Sequence, residues 1–175
     1  MLKLAFEARL TNPEPIFVNL GDLCRAVVKT RSDVGFAQDA DADRIALVDE
    51  RGKVLGEETT LALAVRHRLA EKRGAVVTNL STSRVIDDLA AAHGSTVLRT
   101  KVGEVNVTTR MREANAVIGG EGNGGVIDPR VHLGRDSLVA IVHVLAIMAE
   151  TGQKLSELAA ELPRYHIIKE KLDCS

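Results

Sequence analysis

From Val34 onward, short apolar runs alternate with amphipathic stretches and with polar or glycine-rich breaks. Val34-Gly35-Phe36-Ala37 and Ile45-Ala46-Leu47-Val48 flank a polar knot, which predicts strand, tight loop, strand. That loop is too short for a crossover, so its two strands are expected to be antiparallel. Glu58 to Lys72 carries Leu61, Val65 and Leu69 at i, i+4 and i+8, the period of a helix with one apolar face, and Gly74 ends it. Ala75 to Asn79 reads as a buried strand. Ser81 or Thr82 then caps a helix from Ser83 to Ala92. Thr96 to Thr100 is a strand, Glu104 to Glu113 a helix, and Ala116-Val117-Ile118 a strand running into a glycine-rich loop. Helices over Asp136 to Glu150 and Lys154 to Leu162 complete the pattern. The alternation predicts an α/β fold: a three-layer α/β/α domain with a mixed, mostly parallel sheet.

The first 33 residues differ in kind. Asn12-Pro13-Glu14-Pro15 cannot lie inside a helix. Leu2, Leu4 and Phe6 alternate as in a short strand with no obvious partner. Gly21 to Thr30 reads as a helix with Leu23, Ala26 and Val27 on one face. Residues 1–33 therefore look like the tail of a neighbouring unit. They are expected to be loosely held and able to swap onto a second copy, giving a domain-swapped homodimer.

Composition narrows the class. The chain has 175 residues, enough for one ordinary domain with its own core, and 45% of them are hydrophobic. Aromatics make up 2%, so the core must be built of Val, Leu, Ile and Ala. A net charge of -1 gives no global pull toward nucleic acid or an anionic membrane. No apolar run approaches a membrane span, and the N-terminus lacks the blocks of a signal peptide. Cys24 and Cys174 form neither a metal spacing nor a disulfide framework. The expected compartment is the cytoplasm.

The knot reads Asp39-Ala40-Asp41-Ala42-Asp43-Arg44. Hard carboxylate oxygens clustered in this way suit Mg²⁺ or Ca²⁺. In a flat strand the three acids would stand roughly 7 Å apart per step, so the backbone must curl for them to converge. Small alanines permit that curl. Three readings compete: a solvated acidic turn, an EF-hand-like calcium loop and a Mg²⁺ loop of a phosphotransfer enzyme. Asp39, Asp41, Asp43 and Glu50 fall at positions 1, 3, 5 and 12 of a calcium loop, but Arg44 stands where glycine is needed and the flanks read as strands. The glycine-rich loop around Glu121 and Asn123 is either a plain flexible turn or a site offering a carboxylate and an amide to sugar hydroxyls. It lacks the spacing of a dinucleotide-binding fingerprint.

Several motifs, in order, resemble the α-D-phosphohexomutase superfamily of phosphoglucomutases, phosphomannomutases and phosphoglucosamine mutases. Pro13-Glu14-Pro15 with Asn19-Leu20 is similar to the segment closing that family's second domain. Gly35 to Arg44 resembles its metal loop, with alanines where the family commonly has glycines. Thr100-Lys101-Val102-Gly103 resembles a conserved stretch of its third domain. Gly120-Glu121-Gly122-Asn123-Gly124-Gly125 resembles its sugar-specificity loop, with Asn123 for serine and Gly125 for histidine, and Gly134-Arg135-Asp136 the turn that follows.

The resemblance implies residues 1–33 as the end of domain 2, 34–165 as domain 3 and 166–175 as the start of a linker to a fourth domain. It implies a phosphoryl group moved between the 1- and 6-positions of a hexose phosphate, through a phosphoserine and a hexose bisphosphate. Asp39, Asp41 and Asp43 would hold Mg²⁺, and Arg44 would steady the loop or the phosphate. Glu121, Asn123 and Lys101 would contact substrate. His132, beside Arg135, is a further candidate for substrate contact, whereas His67 and His143 fall within helices and read as structural or surface residues. No serine stands in the family's T-A-S-H-N-P setting, and no R-x-S-G-T-E-P phosphate clamp is present. The chain is thus expected to be a fragment, inactive alone. Two rival functions are a haloacid dehalogenase-like phosphatase, with Asp39 as nucleophile and Asp41 as acid/base, and a non-catalytic metal- or sugar-binding module.

Overall fold

Strand β2 (Val34–Gln38) sends Val34 and Phe36 to one side and Ala37 to the other. Strand β3 (Ile45–Asp49) does the same with Ile45 and Leu47 against Ala46 and Val48. This period of two, with both faces apolar, calls for helices above and below. The structure, a computed structural model, describes residues 3–7 and 20–165. On one side pack helices α2 (Glu57–Glu71), α3 (Val85–Ala92), α5 (Ser137–Thr151) and α6 (Leu155–Ala160), around Phe36, Leu61, Val65, Ile86, Val144 and Leu158. On the other, α1 (Gly21–Thr30) covers Ala37, Ala46 and Val48, and α4 (Glu104–Glu113) covers Val77 and Ile127. The three-layer α/β/α arrangement is as expected.

Strand pairing divides into two hydrogen-bonded sheets. The first has the order β1-β2-β3, where β1 (Leu4–Glu7) runs parallel to β2, and β2 antiparallel to β3 with Gln38 opposite Ile45. The second joins β4 (Val76–Asn79), β5 (Val97–Thr100), β6 (Ile118–Glu121) and β7 (Gly125–Ile127) in the order β5-β4-β6-β7. Its first three strands are parallel and β7 is antiparallel to β6. The Ile45 amide donates to the Gly124 carbonyl at 3.4 Å and so ties the two sheets together at the turn between β6 and β7. The mixed, mostly parallel pairing therefore stands, now resolved into two ladders.

Three local expectations change. The first strand has a partner: Leu4 lies beside Val34, and Lys3 and Asp33 exchange hydrogen bonds of 2.7 Å. Helix α1 is not loosely held, because Leu20, Leu23 and Val27 are fully buried where β2 and β3 present small residues to receive them. The remainder of that segment, residues 8–19 with its Pro13-Glu14-Pro15 motif, lies outside the described residues. The cap of α3 is Arg84, without a side-chain hydrogen bond, because Ser81 and Thr82 spend their hydroxyls on the Asn79 side-chain oxygen instead. Among the described residues, no helix is long and apolar enough to cross a membrane.

His67 and His143 face each other inside the α2–α5 packing, Nδ1 to Nδ1 at 2.7 Å. His143 Nε2 lies 3.1 Å from Asp128, which is also clasped by the Arg130 guanidinium. Burial and the neighbouring His67 hold the His143 imidazole below its ordinary pKa, so it stays neutral near pH 7.

Candidate functional site

The acidic knot curls as its composition allows. Asp39 directs the fold of the loop: its Oδ1 accepts from the Asp43 and Arg44 amides at 3.1 and 3.0 Å. Its Oδ2 accepts from Arg44 Nε at 2.7 Å. The Ala42 amide closes a turn onto the Asp39 carbonyl at 3.2 Å, and Ala42 takes a left-handed φ of 60°. An L-residue tolerates that region at a cost of about 1–2 kcal/mol. From across the loop, Ser137 at the start of α5 grips the Ala42 carbonyl with its hydroxyl at 2.8 Å and its amide at 3.1 Å. Asp136 caps that helix by accepting from the Leu138 and Val139 amides. The result brings one ligand atom from each of Asp39, Asp41 and Asp43 within 4.8 Å of one another.

The electrostatics are uneven. Burial raises the Asp39 pKa, but the backbone and guanidinium hydrogen bonds from Arg44 outweigh it and hold the carboxyl below its usual value. Asp43 lacks that backbone support. Burial pushes it up to about 6, with Arg135 opposing and the nearby Asp39 and Asp41 adding to the rise. Asp43 Oδ1 is buried and has no hydrogen-bond partner. Its nearest ion-pair partner is Arg44 Nε at 3.5 Å, beyond good hydrogen-bond length. Three clustered carboxylates, one with an oxygen lacking a hydrogen bond, are a donor set a hard divalent cation satisfies, so the residues present fit Mg²⁺. Arg44, expected at the reacting phosphate or on the loop, is placed on the loop by its bond to Asp39.

The glycine-rich segment is a hairpin, not a free loop. Its glycines enter β6 and β7 because larger residues would not fit: a Cβ on Gly120, whose φ is 153°, would lie 2.2 Å from the Gly125 carbonyl oxygen. Glu121 ends β6 and is buried. Its Oε1 accepts from Asn79 Nδ2 at 2.6 Å and from the Gly103 amide at 3.2 Å. Its Oε2 accepts from Arg135 Nη1 at 2.8 Å. Glu121 is therefore a hub with both oxygens engaged, and Oε2 accepts a single bond. Asn123 sits at the turn, half-buried, with its side-chain oxygen accepting from the Gly125 amide at 3.3 Å, which leaves its amide NH₂ for a ligand. Lys101 is exposed on the segment between β5 and α4, which Gly103 ties to Glu121.

Two site residues were given no role by the sequence. Asn79, at the end of β4, is fixed by Ser81 and Thr82 and aims its amide at Glu121. Arg135 joins the halves of the site: Nη2 meets Asp43 Oδ2, Nη1 meets Glu121, and its backbone amide donates to Glu104 Oε1 at 2.8 Å. A Cβ on Gly125 would lie 2.4 Å from Arg135 Cδ, so that glycine makes room for this side chain. The Gly134-Arg135-Asp136 turn is visible in the chain, but only tertiary packing shows what its arginine touches. His132 is exposed and pairs with Asp136 at 3.0 Å.

Two rival readings of the knot, the calcium loop and the phosphatase, do not match this geometry. Glu50, the twelfth residue of a calcium loop, bonds Ser156 in α6 at 2.5 Å, and strands flank the knot on both sides. A phosphatase D-x-D is expected at the end of a strand in a parallel sheet, whereas here the loop joins antiparallel strands.

Comparisons with known proteins give the same frame. Residues 56–165 match the model for phosphoglucomutase/phosphomannomutase, alpha/beta/alpha domain III. A probable phosphoglucosamine mutase of Methanopyrus kandleri is 44% identical over 93% of this chain and 36% of its own length. A phosphoglucomutase/phosphomannomutase of Thermococcus kodakarensis is 43% identical over 95% of this chain and 36% of its own. The crystal structure of an assigned phosphomannomutase from Thermus thermophilus superposes with a TM-score of 0.80 at 30% identity, over 86% of this chain and 35% of that one. The chain thus spans a little over a third of the length of the curated relatives it matches. With more than half of its residues inside the domain III match, it belongs to the phosphoglucomutase/phosphomannomutase family of the α-D-phosphohexomutase superfamily.

Proposed function

We propose that this chain supplies the metal- and sugar-binding domain of a phosphohexomutase. The reaction would move a phosphoryl group between the 1- and 6-positions of a hexose phosphate, through a phosphoserine and a hexose bisphosphate, in the cytoplasm. The observation that supports the reading most is the convergence of one ligand atom from each of Asp39, Asp41 and Asp43 within 4.8 Å, in a loop where Asp43 Oδ1 is buried without a hydrogen bond. Those three residues would hold Mg²⁺, which when bound supplies positive charge against the oxygens of a moving phosphoryl group. Asp39 and Arg44 keep the loop curled. Asn123 donates its free amide to a sugar hydroxyl. Glu121 orients the hairpin and offers Oε2 to the sugar in exchange with Arg135. Lys101 reaches the substrate from the neighbouring segment. The nucleophilic serine comes from outside these residues. Ser137, the hydroxyl beside the metal loop, is fully buried and bonded to Ala42 and Gln38, so it is held as structure. Relatives named for different hexose phosphates leave glucose, mannose and glucosamine phosphates as candidate substrates.

The test is a Mn²⁺ titration of the full chain followed by NMR. Broadening should centre on residues 39–44 at millimolar metal and weaken in Asp41→Asn with the fold intact. Unchanged broadening in that variant, or broadening centred elsewhere, would remove the metal assignment.

A further inference from the structure

We propose that Arg135 is a positioning residue that couples the two halves of the site. One guanidinium ties Asp43 of the metal loop to Glu121 of the sugar hairpin, so that occupation of either half is felt at the other. The inference rests on the metal-loop reading above and adds to it a route of communication.

Among the described residues, Arg135 is the side chain whose ion pairs reach both halves. Its position is set from three directions: Glu104 holds its backbone amide, Gly125 leaves space for its stem, and Asp136 starts α5 beside it. Its two terminal nitrogens then divide between two loops, Nη2 to Asp43 and Nη1 to Glu121. A planar guanidinium holds two carboxylates at a fixed separation, which a lysine ammonium does not. The Arg135 and Asp43 side chains are 17% and 18% exposed and that of Glu121 is 5% exposed, so solvent screens the pairs weakly. The tie continues past Glu121, whose other oxygen holds the Gly103 amide and so reaches the segment carrying Lys101.

The signs follow from charge. A divalent cation at the metal loop competes with Arg135 for Asp43. Neutralising Glu121 leaves the guanidinium less compensated, draws it toward Asp43 and weakens cation binding. Removing Arg135 frees Asp43 and strengthens it. Without Arg135 the Glu121 change should no longer reach the metal loop.

The experiment measures Mn²⁺ affinity of the full chain by calorimetry or proton relaxation, with Glu121→Gln, Arg135→Gln and the double variant forming a cycle. Glu121→Gln should weaken binding and Arg135→Gln should tighten it, each roughly fivefold for a coupling of ordinary size. The double variant should behave as Arg135→Gln alone. Mg²⁺ should also shift the Gly103 amide resonance in the wild-type chain and leave it in place in Arg135→Gln. Should Arg135→Gln fail to fold, Arg135→Lys takes its place: it keeps the charge, lacks the fork and should abolish the Gly103 response. A Glu121→Gln effect of equal size with and without Arg135, or a Gly103 shift that survives in Arg135→Lys, would overturn the coupling. Wild-type chain that binds no Mn²⁺, or binding indifferent to Asp41→Asn, would overturn the metal-loop reading instead, and the coupling with it.

Discussion

Asp43→Asn should make the metal-free protein more stable while removing a metal ligand. Three acids share one loop, and burial together with their repulsion falls on Asp43, because Asp39 holds two backbone amides and Asp43 holds none through its Oδ1. Its carboxyl is raised from 3.8 to about 6, with burial as the first cause. At about 1.4 kcal/mol for each tenfold change in proton affinity, that rise is worth at most ~3 kcal/mol, net of the attraction to Arg135. Partial exposure and relaxation reduce this, and an expected gain of about 1–2 kcal/mol remains. The sign is fixed by linkage. A carboxyl with a raised folded-state pKa binds more protons folded than unfolded, so wild-type stability relative to the variant is fullest below 3.8 and is lost as pH rises through about 6. The assay is urea unfolding of both proteins in EDTA, at about pH 4.5 and about pH 7.5. Asp43→Asn should lead at the higher pH, and the gap should narrow at the lower. Saturating Mg²⁺ should reverse the order, since ligand binding stabilises only the protein that retains the site. A variant less stable than wild type in EDTA near pH 7.5, or a gap that ignores pH, would refute the argument.

Further outcomes are specific. Ala42→Gly relieves a left-handed φ while adding unfolded-state entropy, so thermal melts should place it within about 1 kcal/mol of wild type, whereas Ala40→Gly, without that relief, should lose about 0.5–1 kcal/mol. Gly120→Ala sets a Cβ against the Gly125 carbonyl and should cost about 3 kcal/mol or more, with loss of the hairpin amide cross-peaks in NMR. The 175-residue chain assayed alone with glucose 1-phosphate and hexose bisphosphate should stay at background, since it carries no serine in the nucleophile motif. Turnover that survives repurification and depends on Asp41 would contradict this.

Patterning by itself determined the layered α/β class, the six helices of the described residues to within a few positions, and the antiparallel pair around the knot. Those features are local. They follow from the period of apolar residues and from loops too short to cross a sheet. The alternation of Asp39, Asp41 and Asp43 raised a cation loop as one of three readings, and the fold brings one ligand atom from each within 4.8 Å. Sequence could not show that Leu4 pairs beside Val34, or that the glycines after Ile118 continue a strand. Both depend on partners distant in the chain, and glycine carries no side-chain pattern to read. Nor could it show the state of each acidic side chain. Glu121 looked like a free sugar contact, but the folded chain surrounds it with Asn79, Gly103 and Arg135 from three separate segments. Arg135 was legible only as the middle of the Gly134-Arg135-Asp136 turn, with nothing in the chain to say what it touches. Its importance arises only where the loop before β3 and the β6–β7 hairpin come side by side, because one charge can bridge two loops only after the fold has set them within reach.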